Sequence, residues 1–128
     1  MSVVGRVESV WRYPVKSMRG EELPEIFAGF SGVWGDRLFA FKSSATPVAF
    51  PYLTGREAHE MLLYRPLFRD PQKAAKPANL AEAEELSPIL NPVAADLSDL
   101  ALDVETPSGE VLAIDDPGLI AAAHRAGR

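Results

Sequence analysis

The sequence contains no cysteine, which removes disulfides, thiolate metal ligands and cysteine nucleophiles at once, in any compartment. It has only two histidines, His59 and His124, and neither they nor the Asp115-Asp116 pair show a recognised metal-ligand spacing. A Ser-His hydrolase would need a serine beside one of those histidines with an orienting carboxylate, and no nucleophile-elbow glycine pattern surrounds any serine. None of the eighteen acidic residues sits in a context that predicts a raised pKa for acid or base catalysis. No metal site and no catalytic residue is therefore expected.

Long apolar runs are also missing. Nothing approaches the roughly 20 residues that span a bilayer, and the N-terminus lacks the basic segment and uninterrupted apolar stretch of a signal peptide. The expectation is a soluble, cytoplasmic protein with no membrane partner. Basic residues are scarce where acids are dense: Asn79 to Gly118 holds ten carboxylates and no lysine or arginine. The formal charge is -5, which argues against a nucleic-acid partner, because such binding needs clustered cations to displace counterions. Trp34, Phe39, Phe41, Phe50 and Tyr52 lack interleaved basic residues and read as core aromatics instead of a stacking platform for bases.

What is present is one domain's worth of chain, 128 residues with 47% apolar content, enough to bury roughly two thirds of its unfolded surface. The N-terminal segment Val3 to Tyr13 is rich in β-branched and aromatic residues and alternates from Val7 onward, so it reads as a strand with Trp11 in the core. Pro14 stops it. Glu22 to Phe27 and Leu38 to Phe41 read as further short strands, and Leu63 to Phe68 as one that Pro66 confines to an edge. Thr54 to Leu62 reads as one or two helical turns with Thr54 as cap. Asp70 to Ser98 carries Pro71, Pro77, Pro88 and Pro92 among alanines and glutamates, with helix formers enough only over Leu80 to Leu86; residues 70–98 are expected to be a flexible excursion. Leu100 to Glu105 and Val111 to Ile114 alternate on either side of Thr106 to Gly109, a β-hairpin. Pro117 to His124 closes as a helix with Gly127 beyond it.

Cations gather at the other end. Residues 1–20 hold Arg6, Arg12, Lys16 and Arg19 against Glu8 alone. In Tyr13-Pro14-Val15-Lys16-Ser17-Met18-Arg19-Gly20 a strand stops and an ammonium, a hydroxyl and a guanidinium follow before a glycine. A phosphate pocket uses those types: lysine for charge, a hydroxyl for direction and an arginine fork that holds two oxygens. Lys16, Ser17, Arg37 and, less directly, Arg56 are the candidates. The glycines of Gly29 to Arg37 recur every three residues, not as the G-x-G-x-x-G of a dinucleotide fold, and suit a tight connection that delivers Asp36 and Arg37. The competing reading is a solvated basic face in which Asp36 neutralises a neighbour.

Taken in order, Tyr13-Pro14-Val15-Lys16-Ser17, Gly35-Asp36-Arg37 and Leu53-Thr54-Gly55-Arg56 resemble the MOSC N-terminal β-barrel domain, which precedes the MOSC domain of molybdenum-cofactor sulfurase-related proteins, as in the amidoxime-reducing component family. The resemblance covers Val4 to about Arg65. It implies a mainly β fold: a small barrel-like domain of antiparallel strands with one or two short helices. It also implies that Lys16, Ser17 and Arg37, with Arg56 the weaker candidate, contact the phosphate and pterin of a molybdenum cofactor (molybdopterin), held only together with a partner MOSC domain.

In relatives the cysteine that binds molybdenum or carries sulfur belongs to that following domain. The chain is thus expected to be no enzyme on its own, but an accessory part of a molybdenum-cofactor-dependent oxidoreductase or sulfurtransferase. Met18 stands where many relatives have another cysteine that is not the metal ligand, a change expected to alter packing more than chemistry. The alternative from a different class is an interaction or scaffold domain with no cofactor-binding activity, whose Asn79 to Gly118 surface docks a basic partner.

Overall fold

Pro14 ends the first strand in the computed structural model, which describes residues 2–29, 32–43, 52–56, 58–81, 85 and 97–126. The strand β1 is short, Val10–Arg12, and pairs antiparallel with β2, Glu21–Leu23, in the register Val10 to Leu23, Trp11 to Glu22 and Arg12 to Glu21. Residues 2–9 form no regular structure and are exposed. The strand expected over Val3 to Tyr13 is thus cut to three residues, because β2 offers a partner only that long. Pro24 in turn ends β2 early by withholding an N–H, so Glu22 to Phe27 is not one strand. Ala28–Gly29 (β3) pairs with Gly32–Val33 (β4) instead.

The pleat of β1 runs opposite to the expected one. Arg12 is 3% exposed and Trp11 49%, since Pro14, two residues further along, is buried and carries the even-numbered face inward. Leu38 to Phe41 is also not a strand. It makes isolated bridges, Val15 to Phe39 (parallel) with Lys42 to Tyr52 (antiparallel) following. Phe41 is buried and Trp34 packs against the core, whereas Phe39 and Tyr52 stand partly in solvent. Phe50 lies outside the described residues.

The third sheet has the order β5-β6-β7: Arg65–Phe68, Leu102–Glu105 and Val111–Ala113, all antiparallel. Pro66 sits in the edge strand, as its missing N–H requires. The hairpin turn is closed by the Thr106 amide donating to Glu110 O at 2.8 Å and the Gly109 amide to Thr106 O at 2.9 Å. Arg69 donates through Nε and Nη2 to Asp103 Oδ1 at 2.9 and 2.8 Å; that hydrogen bond first, and the carboxylate charge second, raise the guanidinium pKa above its ordinary value.

Met61 lies on a 3₁₀ helix, His59–Leu63, and packs in the core with Val15, Met18, Phe41, Val104 and Leu119. Thr54 helps shape the turn before that helix, accepting the Arg56 amide on Oγ1 at 3.3 Å. A second 3₁₀ turn, Leu97–Leu100, leads into β6. The helix Pro117–Ala126 starts where Asp116 Oδ1 accepts the Gly118 amide at 2.7 Å, an Asp cap followed by proline in the first turn. His124 lies 2.8 Å from Ile120 O through Nδ1 and 2.8 Å from Lys42 O through Nε2, which ties this helix to the Lys42 segment.

The fold is mainly β, with three small antiparallel sheets and, among the described residues, no closed barrel. Within residues 70–98, Ala74 and Pro77 are buried, and Leu80, Ala81 and Glu85 are helical; 82–84 and 86–96 lie outside the described residues. Among the described residues no helix is long and apolar enough to cross a membrane.

Candidate functional site

Two buried anchors, Val15 at 0% and Met18 at 2% exposure, pin the loop after β1 and leave Lys16 and Ser17 between them, each half-buried. The Met18 amide donates to Val15 O at 3.2 Å. Closing so tight a turn drives Ser17 to a φ of +69°, a left-handed conformation that a serine adopts at some energetic cost. The loop is also closed at its base. A Cβ on Gly20 would lie 2.6 Å from the Tyr13 ring, so only glycine lets the ring lie there.

Trp34 to Arg37 forms the second connection. Gly35 has a φ of +81°, and a Cβ there would lie 2.6 Å from Arg12 Nη1. The Asp36 amide donates to Val33 O at 3.1 Å, and Arg37 has a φ of +50°. Ser17 and Arg37 are the non-glycine positive-φ residues among those described, so the strained positions coincide with two of the candidate anion donors.

The two connections lie side by side. The Arg37 amide donates to Tyr13 O at 2.7 Å, the Leu38 amide to Pro14 O at 2.8 Å and the Lys16 amide to Phe39 O at 2.9 Å. Asp36 joins them from the side: Oδ1 accepts the Tyr13 amide at 2.6 Å, and Oδ2 accepts the Arg37 guanidinium. The Arg37 side chain remains 78% exposed. Lys16, Ser17 and Arg37 therefore occupy abutting loops. Arg56 lies one segment further along: the Leu53 amide donates to Phe41 O at 2.7 Å, and Arg56 is an exposed residue of the turn that follows.

Beneath this lies a residue that sequence reasoning placed merely in a basic cluster. Arg12 donates through Nε to Glu21 Oε1 at 2.7 Å and through Nη1 to Trp34 O at 3.0 Å and to Ala74 O. Its guanidinium carbon lies 4.6 Å from the centre of the Phe68 ring, a cation–π contact. One buried side chain thus fastens β2, the Trp34 turn and the Ala74 segment together. The available signal was positional: Arg12 shares the strand face of Val10 and Pro14, and Glu21 follows at hairpin distance.

The model of the family described as the MOSC N-terminal beta barrel domain matches residues 4–115. The chain belongs to that family. No curated protein and no solved structure matches it. In this MOSC N-terminal domain the Tyr13–Ser17 and Gly35–Arg37 motifs share a backbone hydrogen-bonded surface, and the Leu53–Arg56 motif joins it through Phe41. Met18 is a core side chain.

Two surface hollows are formed elsewhere on the domain. One, of about 550 Å³, is walled by residues that include Asp70, Lys73, Lys76 and Leu80. The other, of about 640 Å³, has Glu60, Tyr64, Glu110 and Asp116 in its wall. Neither wall includes Lys16, Ser17, Arg37 or Arg56.

Proposed function

We propose that this MOSC N-terminal domain is a non-catalytic module that supplies part of the phosphate and pterin contacts of a molybdenum cofactor, the rest coming from a MOSC domain. The observation that carries the reading is the abutment of two loops with Ser17 and Arg37 both held in left-handed backbone. Strain kept in place by surrounding hydrogen bonds is commonly stored at binding sites.

The donor set fits an oxyanion in kind. Lys16 supplies an ammonium, Ser17 a hydroxyl and Arg37 a fork suited to two oxygens, with Arg56 on the adjoining turn as the outer candidate. When bound, the cofactor supplies the molybdenum or sulfur chemistry, and this cysteine-free chain contributes neither thiolate ligand nor sulfur carrier. Its residues orient and neutralise.

A second reading, an interaction domain without cofactor binding, is favoured by the ion pair in which Asp36 already engages Arg37. The two separate in one titration. Molybdopterin retention is measured for this chain, for a MOSC domain and for their equimolar mixture, each with wild type and Lys16→Ala. The cofactor reading expects the mixture to retain more than either part and Lys16→Ala to weaken that retention by tenfold or more, on the order of one charge-assisted hydrogen bond. A mixture that retains no more than the MOSC domain alone decides for the interaction domain.

A further inference from the structure

The segment before β1 has strand composition and no strand. Val3, Val4 and Val7 are 89%, 101% and 77% exposed, in a stretch, residues 2–9, that forms no regular structure. β1 itself belongs to a two-stranded sheet, so its extension toward Ser2 meets no strand among the described residues. Exposed chain of this kind, rich in β-branched residues and without a strand partner among the described residues, is a template for pairing with another chain.

The order of residues specifies which chain. In an antiparallel ribbon between two copies centred on Val7, Val7 faces Val7, Arg6 faces Glu8, Gly5 faces Ser9, Val4 faces Val10 and Val3 faces Trp11. Arg6 of each copy then meets Glu8 of the other, two opposite-charge pairs related by a two-fold axis. One face of the ribbon collects Val3, Val7 and the half-exposed Trp11, with only the small Gly5 and Ser9 between. Neighbouring symmetric registers are disfavoured, since centring on Arg6 opposes Arg6 to itself and centring on Glu8 opposes Glu8 to itself. The charge pattern and the apolar face agree on one alignment.

We propose that Val4 to Val10 pairs antiparallel with the same segment of a second copy of this chain, in the register that sets Arg6 against Glu8. This goes beyond the cofactor reading and does not depend on it. The ribbon extends β1 on the side away from the Lys16 loop in sequence.

Sedimentation of the whole chain from about 1 µM to about 1 mM covers the affinities open to so small an interface. The expectation is a monomer–dimer equilibrium within that range. Arg6→Glu and Glu8→Arg are exposed substitutions that leave the fold intact by circular dichroism, and each alone weakens self-association on the order of tenfold or more by setting like charges opposite each other. An equimolar mixture of the two single variants restores the dimer, because a segment acidic at both positions then lies against one basic at both. The double variant Arg6→Glu/Glu8→Arg self-associates as wild type does. A wild type that stays monomeric throughout, single variants that associate undiminished, or a mixture that fails to dimerise each overturns the proposal.

Discussion

Arg12 Nη2 lies 2.6 Å from Glu21 Oε1 across the first hairpin, with the arginine side chain 3% exposed and the glutamate 30%. The pair joins directly opposed residues of β1 and β2. It is only half desolvated, because Glu21 keeps contact with water. The arginine is the buried partner, and its Nη1 donates to the backbone carbonyls of Trp34 and Ala74.

Arg12→Ala should therefore be among the most damaging single substitutions. It strands two carbonyls, leaves Glu21 without its counter-charge and opens a void against Phe68. Removing one partner of a buried pair costs about 3–5 kcal/mol, and the solvation of Glu21 places the expectation near the lower end, about 3 kcal/mol. Arg12→Lys should recover only part, since an ammonium does not reproduce the planar fork. Urea unfolding measures both; a loss below about 1 kcal/mol for Arg12→Ala would show that the hub contributes little.

Much of the second half of the chain was legible in the sequence. The hairpin Leu102–Glu105 and Val111–Ala113 follows from strict alternation around a turn, and the helix from Pro117 follows from its proline start. Pro66 was correctly confined to an edge. The N-terminal strand misled because a binary pattern sends arginine outward and tryptophan inward, while the outcome at Arg12 and Trp11 is decided by partners 9, 22 and 62 residues away. Lys16, Ser17 and Arg37 were legible as residue types on two loops. The left-handed backbone of Ser17 and Arg37 was not, because neither residue has the side chain that signals it.

Gly35 should tolerate no side chain. Alanine there adopts a φ of +81° and brings its Cβ within 2.6 Å of Arg12 Nη1 and 3.1 Å of Cζ. Arg12 is buried and held on three sides, so the guanidinium cannot swing clear. Gly35→Ala should destabilise by about 2 kcal/mol or more, whereas Gly32→Ala, with no atom within 4 Å of its Cβ position, pays only the backbone penalty of about 1 kcal/mol. A double-mutant cycle with Arg12→Ala should be non-additive, because the clash requires both partners. Additive losses would place the cost of Gly35→Ala in the backbone alone.

Ser17→Gly and Arg37→Gly separate strain from binding. Both residues have positive φ, and glycine relieves that at no steric cost. Ser17→Gly should raise stability by about 0.5–1 kcal/mol while weakening molybdopterin retention in the mixture with a MOSC domain. Arg37→Gly should be near neutral, because relief is offset by loss of the exposed pair with Asp36, itself worth at most about 1 kcal/mol. Thermal unfolding reads the first effect and cofactor retention the second. If Ser17→Gly proves less stable than wild type, the left-handed conformation is supported by hydroxyl contacts and is not a reservoir of strain.

Trp34 carries the last prediction, through an atom that does nothing. Its carbonyl serves Arg12, but its indole Nε1 is buried with no hydrogen-bond partner among the described residues, and the ring packs against the core. A buried unmade donor costs about 1–3 kcal/mol, whereas replacing indole by phenyl at a half-buried site forfeits part of the burial gain of a large aromatic, about 1–2 kcal/mol. The two effects are of similar size and opposite sign, so Trp34→Phe should leave stability within about 1 kcal/mol of wild type despite the loss of a large core-facing ring. Trp34→Ala keeps no such compensation and should cost about 3 kcal/mol. Equilibrium unfolding of the two variants side by side decides the matter, and a Trp34→Phe loss approaching that of Trp34→Ala would mean that the indole N–H is satisfied in solution.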